Sequence, residues 1–506
     1  MLYRFFQIRF WTLILIFEVL LPSIDCRAVQ KTPIQGVGQA WWAALPDGWK
    51  KHFQDSLNIG KEPKVSDFEK IKSLKKINCA GQPDRFNRQI MDIRALAYLP
   101  MLEEVNISFT PVTSIAPLQK LKKLRILRCE QTNVQDLQPL EQLPLLQELW
   151  AQGCLELRDL RPLQACVSLR KLSVSETAVT DISPLSALIH LERLYISKTK
   201  VEDLSPLQKL KKLSKLGIVE TPVKDLGPLV DLSALESLLF WKTSVVDLSP
   251  LSKLYNLKEI FFNWTPVSDI KPLSGLTKLT HLSMSETRVT DLLPLANLTE
   301  LRELYIQKNN IASLAPLANL KKLEVLILDK TTVSDFSPIG TLTALRKLHL
   351  KETGFESLRD LAECQNLKIL DVSKTKIMSL GGISALRKLE ELNFSGTKVE
   401  QMDSLIACPL LKTLIGCYTP IQTLSGLESC AQLENLDISY TNISDLSALK
   451  KTIKLKNIDI SHTKVTSLSP LPKSPKDIRK IYVVDTPLAD SVKEEAAEAD
   501  RDAIGN

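Results

Sequence analysis

Apolar and polar positions follow a fixed rhythm through most of this chain. Around Thr199, apolar residues stand eight, five and three positions earlier and two and five positions later. The same spacing recurs around 18 positions, here called the anchors, and of the 17 intervals between them 15 are 22 residues and two are 23. The anchors are Thr110, Thr132, Cys154, Thr177, Thr199, Thr221, Thr243, Thr265, Thr287, Asn309, Thr331, Thr353, Thr375, Thr397, Thr419, Thr441, Thr463 and Thr486. A register of this length indicates one repeated structural unit.

Each repeat predicts a short strand followed by a return segment. The alternation before the anchor places one set of side chains inward and the next outward. Seven residues after most anchors up to Pro338 a proline follows a small residue, as in Ser205-Pro206, and Ser before Pro suits the N-cap of a helical turn.

Stacking of these repeats decides the fold class. A 22-residue unit cannot bury its apolar side alone, so neighbouring repeats must share one core. The pattern predicts an α/β solenoid with a parallel β-sheet on one face and short helical or 3-10 turns on the other. Strands about 4.8 Å apart then give a curved rod roughly 85 Å long.

The anchor side chain is expected to turn inward at the end of the strand. Its hydroxyl would there bond a backbone group of the neighbouring turn, because burial without a partner is costly. Threonine offers one hydroxyl, whereas asparagine offers a donor and an acceptor. We therefore expect fewer hydrogen bonds than a column of asparagines would make.

The segment LERLYISKTKVEDLSPL, residues 191–207, resembles the 22-residue leucine-rich repeats of bacterial internalins, with Thr in place of the usual Asn. The resemblance covers about residues 74–490. It implies a right-handed leucine-rich-repeat rod with its sheet on the concave face, export or surface display, and protein binding through that face. No LPxTG sorting signal or immunoglobulin-like domain is evident, so adhesion to a host is not implied.

Four segments are expected along the chain. Arg4 and Arg9 precede a short apolar stretch at 10–21, which predicts a signal peptide at 1–28 and a secreted, periplasmic or cell-surface location. An uncleaved N-terminal anchor is the alternative, and it would be the only contact with a membrane. The remaining segments are an N-terminal helical cap at 29–73, the leucine-rich-repeat solenoid at 74–490 and an acidic C-terminal tail at 491–506.

The cap prediction rests on an apolar stripe at helical spacing. It ends the solenoid by covering the first exposed edge of the core. The stripe consists of Trp42, Leu45, Trp49, Phe53 and Leu57.

Charge and chemistry exclude several classes of function. The 65 Lys and Arg and 58 Asp and Glu residues are interleaved, which is not the footprint of a nucleic-acid-binding protein. Cys364, Cys408 and Cys430 take apolar core positions of the repeat, and no zinc spacing, phosphate loop or catalytic motif is present. The sequence thus predicts no enzyme, no catalytic residue, no metal and no cofactor.

The residue directly before each anchor alternates in charge over much of the chain. Stacked strands bring these side chains together, so that opposite charges become neighbours. We interpret the alternation as a structural register device. Its members are Glu176, Lys198, Glu220, Lys242, Glu286, Lys308, Lys330, Glu352 and Lys374.

Large apolar side chains concentrate at outward-facing positions between the third and tenth anchors. Exposed apolar clusters favour protein binding, and aromatic side chains often supply most of its energy. The alternative is that these aromatics merely stack on one another. The candidate partner-binding residues are Trp150, Tyr195, Leu239, Trp241, Phe261, Trp264 and Tyr305. In later repeats Asp371, Asp437 and Asp459 face outward, which we interpret as solvated surface rather than as a cation site.

Three functions fit these patterns. The first is an exported scaffold that holds a protein partner on its concave face. The second is an intracellular regulatory scaffold resembling the phosphatase-binding repeats of the same length. The third is a structural envelope protein without a discrete partner.

Overall fold

The computed structural model describes residues 36–472 and 478–488. The expected signal peptide and acidic tail lie outside the described residues. From residue 36 onward, three helices precede the repeats: α1 (Gln39–Ala44), α2 (Asp47–Leu57) and α3 (Val65–Lys72).

Within these described ranges, a single parallel sheet of 19 three-residue strands follows. The strands are β1 Lys76–Asn78, β2 Glu104–Asn106, β3 Ile126–Arg128, β4 Glu148–Trp150, β5 Lys171–Ser173, β6 Arg193–Tyr195, β7 Lys215–Gly217, β8 Ser237–Leu239, β9 Glu259–Phe261, β10 His281–Ser283, β11 Glu303–Tyr305, β12 Val325–Ile327, β13 Lys347–His349, β14 Ile369–Asp371, β15 Glu391–Asn393, β16 Thr413–Ile415, β17 Asn435–Asp437, β18 Asn457–Asp459 and β19 Lys480–Tyr482.

Sequential strands pair in the register that the repeat predicts. Arg193 lies opposite Lys215, one repeat later. The first pair is the exception, because Lys76 lies opposite Glu104 across a longer irregular turn. The middle residue of each strand, such as Leu194, points into the continuous core. The predicted solenoid is confirmed.

Short 3-10 turns form the opposite, convex face, as expected. They are Arg94–Tyr98, Ala116–Lys120, Gln138–Gln142, Arg161–Ala165, Ser183–Ala187, Ser205–Leu207, Gly227–Leu229, Ser249–Leu251, Lys271–Leu273, Leu293–Leu295, Ala315–Asn319, Ser337–Thr341, Leu358–Leu361, Ile383–Ala385, Asp403–Ala407, Leu427–Ser429 and Ser447–Lys451.

The turns begin differently from the Ser N-cap that the sequence suggested. In the repeat of Thr199, the Asp203 carboxylate accepts hydrogen bonds from the Ser205 backbone N–H at 2.8 Å and from its hydroxyl at 2.6 Å. The serine is therefore a donor, and the aspartate satisfies the free N–H at the start of the turn. In two later repeats Gly382 and Gly426 precede the turn instead, with φ of 103° and 100°.

The anchors are buried at the ends of the strands, except for the half-buried Thr287, but their bonds correct one expectation. The Thr199 hydroxyl donates to the carbonyl of Ile196, in its own repeat, at 2.6 Å. The expected bond to the neighbouring turn is wrong for threonine, because its hydroxyl reaches back only three residues. A comparable bond within the repeat recurs at the other threonine anchors.

Asn309 shows what the longer side chain adds. Its amide nitrogen donates to the Met284 carbonyl of the preceding repeat at 2.9 Å and to the Thr287 hydroxyl at 3.1 Å. Its amide oxygen accepts from the Thr287 N–H at 2.9 Å. Asparagine thus joins two repeats, whereas threonine closes one. The expectation of a less bonded ladder is confirmed.

The three helices cover the first edge of the solenoid. Trp42, Leu45, Trp49 and Phe53 are buried as predicted, while Leu57 is only partly buried. The Trp49 indole N–H donates to the Asp92 carbonyl at 2.8 Å, which joins α2 to the first repeat. Sequence analysis missed the buried Trp41, which lies beside the stripe.

Both edges of the sheet carry charge ladders. The residue before each anchor, here called the rim position, has positive φ in every repeat, between 52° and 73°. Glu220 and Lys242 pair there at 2.9 Å, and Glu286 and Lys308 at 2.8 Å. The residue before each strand forms the second ladder, in which Glu390 bonds two lysine ammonium groups, Lys368 at 2.7 Å and Lys412 at 2.6 Å. The predicted charge alternation therefore makes ion pairs, and the second ladder was not predicted.

The cysteines confirm the core interpretation. In the described ranges all are free thiols, and all except the half-buried Cys417 are buried. Cys408 and Cys430 lie in adjacent repeats without a disulfide between them.

Candidate functional site

The concave face consists of the outward residues of successive strands. Every strand has three residues, and the middle one is buried in all strands except β19, where it is half-buried, so the first and third residues each form a column across the sheet. In the third-residue column, Tyr195, Gly217, Leu239 and Phe261 follow one another on β6 to β9. A third outward position lies two residues after each strand and includes Trp241.

All seven candidate residues are half-buried, so none lies in the core and none stands fully free in solvent. Leu239 and Phe261 are direct neighbours on β8 and β9. Trp241 follows β8, and Trp264 occupies the rim position after β9, where the Lys242 ammonium lies 5.7 Å from the centre of its ring. These four residues, Leu239, Trp241, Phe261 and Trp264, are here called the central patch.

The other three candidates lie to either side of the central patch. Trp150 and Tyr195 stack across β5 with ring centres 6.3 Å apart and an angle of 26° between planes. The Arg128 guanidinium lies 5.1 Å from the Trp150 ring, and the Trp150 indole N–H donates to Glu148 at 3.1 Å. Mutual stacking therefore accounts for part of the aromatic pattern. Seven strand intervals of about 4.8 Å separate Trp150 from Tyr305, which is roughly 34 Å.

A second aromatic group was missed by sequence analysis. Tyr418, Tyr440 and His462 occupy consecutive rim positions and stack with centre distances of 4.2 and 3.9 Å. Tyr418 is 59% exposed and Tyr440 43%, which makes this stack more accessible than the central patch. The signal was present in the sequence, because the three residues interrupt the Glu and Lys of the rim ladder.

The outward aspartates Asp371, Asp437 and Asp459 are half-buried and take part in local hydrogen bonds. The Asp437 carboxylate accepts the Ser439 backbone N–H at 3.0 Å, and Asp459 accepts that of Ser461 at 2.9 Å. Each thus stabilises the turn after its own strand. No group of three or more potential metal ligands was found within residues 36–472 and 478–488.

One cysteine and histidine pair lies between the cap and the first strand. The Cys79 sulfur and His52 Nε2 are 3.6 Å apart. Burial raises the pKa of the Cys79 thiol to about 12, so the thiol stays protonated at neutral pH. Because the thiolate is the nucleophilic form, this pair does not resemble an activated cysteine.

Comparison with known proteins agrees with this geometry. Residues 167–209, 277–319 and 299–341 match the sequence family described as Leucine Rich repeats (2 copies). An internalin of Listeria monocytogenes, inlF, is 27% identical, with 69% of this chain and 96% of that chain covered and a TM-score of 0.56. The chain is an internalin-like leucine-rich-repeat protein.

More distant structures share the fold of this internalin-like protein. A leucine-rich-repeat protein of Leptospira interrogans is 20% identical over 81% of this chain and 98% of that chain, with a TM-score of 0.60. The ectodomain of the Arabidopsis receptor kinase HAESA, solved with a peptide hormone, is 17% identical over 74% and 68%, with a TM-score of 0.57. No curated protein sequence matched the chain.

The search for membrane-spanning helices gave no candidate. Within the described part of the internalin-like chain, every helix is too short or too polar to cross a bilayer.

Proposed function

We propose that this internalin-like protein is an exported, non-enzymatic scaffold that binds a protein partner on its concave face. The observation that carries the proposal is the adjacency of the central patch: Leu239 and Phe261 are register neighbours on the outward side of the sheet, flanked by Trp241 and Trp264. Half-buried aromatic and aliphatic side chains on a rigid sheet lose little conformational freedom on binding, which favours them as anchors of an interface.

Two further observations support a binding role. The sheet is built from repeats of regular length, which hold the outward side chains in fixed columns. Solenoid proteins use such columns as extended binding surfaces. The HAESA ectodomain, which shares the fold, was solved with a peptide hormone ligand.

The test compares two variants of the full chain in quantitative pull-downs from cell-surface protein extracts. The patch variant carries Trp241→Ala, Phe261→Ala and Trp264→Ala, and the control carries Tyr255→Ala and Leu293→Ala, two residues 57% and 65% exposed outside the concave face. A partner should be retained by the wild type and the control and lost by the patch variant, with unchanged far-UV circular dichroism in all three. Equal retention by the patch variant would refute the site.

Export is tested separately by cell fractionation and N-terminal sequencing. The mature chain should begin after Ala28 and be recovered outside the cytosol. A cytosolic chain that keeps its first 28 residues would instead support a regulatory scaffold inside the cell.

A further inference from the structure

Three cations follow one another in the first-residue column beside the central patch. Lys171, Arg193 and Lys215 begin β5, β6 and β7, and the register places each directly opposite the next. Adjacent like charges on a sheet repel one another and destabilise the fold. A nearby anion would reduce this repulsion.

Of these three cations, only the first has a carboxylate partner in the described part of the chain. The Lys171 ammonium lies 2.7 Å from a Glu148 carboxylate oxygen. Among the residues that the structure describes, neither Arg193 nor Lys215 has a carboxylate oxygen within 4.0 Å.

Some other charges of the same column do find partners. Lys76 pairs with Glu104 at 2.6 Å, and His281 lies 3.6 Å from Glu303. Both edges of the sheet carry ladders of ion pairs as well. Lys347, Glu259 and Glu391 of this column also lack an oppositely charged side chain within 4.0 Å in the described residues, but they are not neighbours, whereas the half-buried Arg193 and Lys215 are adjacent like charges.

The neighbouring surface favours a polypeptide as the source of the anion. Next to the two cations, the third-residue column contains Tyr195 and then Gly217, where a Cβ would lie 3.0 Å from the Tyr195 ring. The Tyr195 ring therefore lies against the buried Gly217, and Leu239 and Phe261 follow in the same column. A ligand that covers this stretch needs a carboxylate at one end and an apolar side chain at the other.

The strand spacing sets the distance between those two groups. From the midpoint of Arg193 and Lys215 to the midpoint of Leu239 and Phe261 there are two strand intervals, about 10 Å, across the sheet and two residues, about 7 Å, along the strands, which together give roughly 12 Å. In a polyproline II helix, residues three apart point the same way and are separated by roughly 9.3 Å. An acidic residue and a large apolar residue three positions apart would span this distance if their side chains lean apart by about 3 Å, so the ligand is assigned this spacing.

We propose that Arg193 and Lys215 bind a carboxylate of an acidic, extended segment of the partner, while an apolar side chain of that segment packs on Leu239 and Phe261. This inference rests on the proposed function of the concave face. It adds the chemistry of the partner, since two adjacent cations select against basic segments and favour acidic ones.

The probe is a fluorescein-labelled, proline-rich peptide with two aspartates, each three residues before a phenylalanine, and binding is followed by fluorescence anisotropy. Two control peptides carry lysine in place of aspartate or shift the phenylalanines by one residue. The full chain should bind the probe at least tenfold more tightly than either control, and the affinity should fall with added salt.

Two matched double variants locate the binding. Arg193→Gln with Lys215→Gln should weaken probe binding at least tenfold, while Lys209→Gln with Lys253→Gln, two exposed lysines outside the concave face, should change it less than twofold. The first pair should also leave the thermal midpoint unchanged or raise it, because it removes like-charge repulsion. A loss of binding without a loss of stability separates a ligand contact from a structural one.

Several results would overturn the inference. They are absence of probe binding, equal binding of the lysine peptide, an unchanged affinity in the Arg193 and Lys215 variant, or tighter binding of a heparin fragment than of the probe at the same two residues. If that happens while the central-patch variant still loses its partner, the proposed function stands and only the acidic chemistry fails. If the central-patch variant keeps its partner, the proposed function itself fails.

Discussion

Phe394 and Gly416 form a size-matched pair in the core of neighbouring repeats. Both stand three positions before their anchors, where most repeats have Ile, Val or Leu. Phe394 is fully buried, and a Cβ on Gly416 would lie 2.5 Å from its Cζ, with two further ring carbons at 3.0 and 3.1 Å. The glycine therefore provides the space that the ring fills.

The two single substitutions should both destabilise the protein. Gly416→Val forces a branched side chain into the ring, and overpacking of this kind costs about 1–3 kcal/mol. Phe394→Val removes four carbons, worth about 3 kcal/mol at about 0.8 kcal/mol per carbon, and leaves a cavity. In the double variant the new valine occupies part of that cavity, as aliphatic neighbours such as Val174 and Ile196 do elsewhere in this column.

The assay is a double-mutant cycle by urea unfolding followed by circular dichroism. We expect the double variant to be more stable than Phe394→Val alone, with a coupling free energy of about 2 kcal/mol. Hydrogen exchange in β15 and β16 should localise the loss in both single variants. Ile196→Val combined with Gly416→Val, ten repeats apart, serves as the additive control. Additivity of Phe394→Val and Gly416→Val, or a neutral Gly416→Val, would refute the space-filling argument.

Three further predictions concern the ladders. Asn309→Thr should destabilise the chain by about 1–2 kcal/mol in urea unfolding, because the bonds to the preceding repeat are lost and one bond within the repeat replaces them; an unchanged midpoint would contradict this. Lys198→Val should cost at least about 1 kcal/mol, since its φ of 54° is unfavourable for a branched side chain, whereas Lys200→Val, outside the rim, should be nearly neutral. Hydrogen bonds from its two lysines lower the pKa of Glu390 from 4.5 to about 2, so its stabilisation is complete above about pH 4.5 and is lost as the pH falls through 2. Glu390→Gln should therefore lower the free energy of unfolding at pH 7 by at most about 1 kcal/mol. As the pH falls toward 2, the free energy of unfolding of this variant should decrease less than that of the wild type.

Much of the candidate site could be read from the sequence. Because side chains alternate along a strand, the spacing from each anchor assigns Leu239, Trp241 and Phe261 to the outward side. The sequence did not show which of the candidate side chains contact one another. The stacking of Trp150 on Tyr195 across an intervening strand depends on ring orientation, which a repeat pattern does not encode.

At the rim position, too, the sequence predicted one property and missed another. Alternating Glu and Lys predicted ion pairs, and pairs such as Glu220 with Lys242 are present. The left-handed backbone of this position was not foreseen, since most of its residues are not glycine. Glycine is the usual sign of positive φ, so a lysine or glutamate there gives no local signal.

By itself, the sequence determined the solenoid, its repeat length, the inward and outward faces and the core role of the cysteines. Those properties follow from the period of apolar residues, because a repeat too short to bury its own core has to stack on its neighbours. The tertiary structure alone decided that the threonine anchors bond within their own repeat, that aspartates rather than serines start the turns, and that the neighbouring Arg193 and Lys215 have no carboxylate oxygen within 4.0 Å among the described residues. These depend on the reach of individual side chains across a gap of a few ångströms, a distance that the order of residues does not specify.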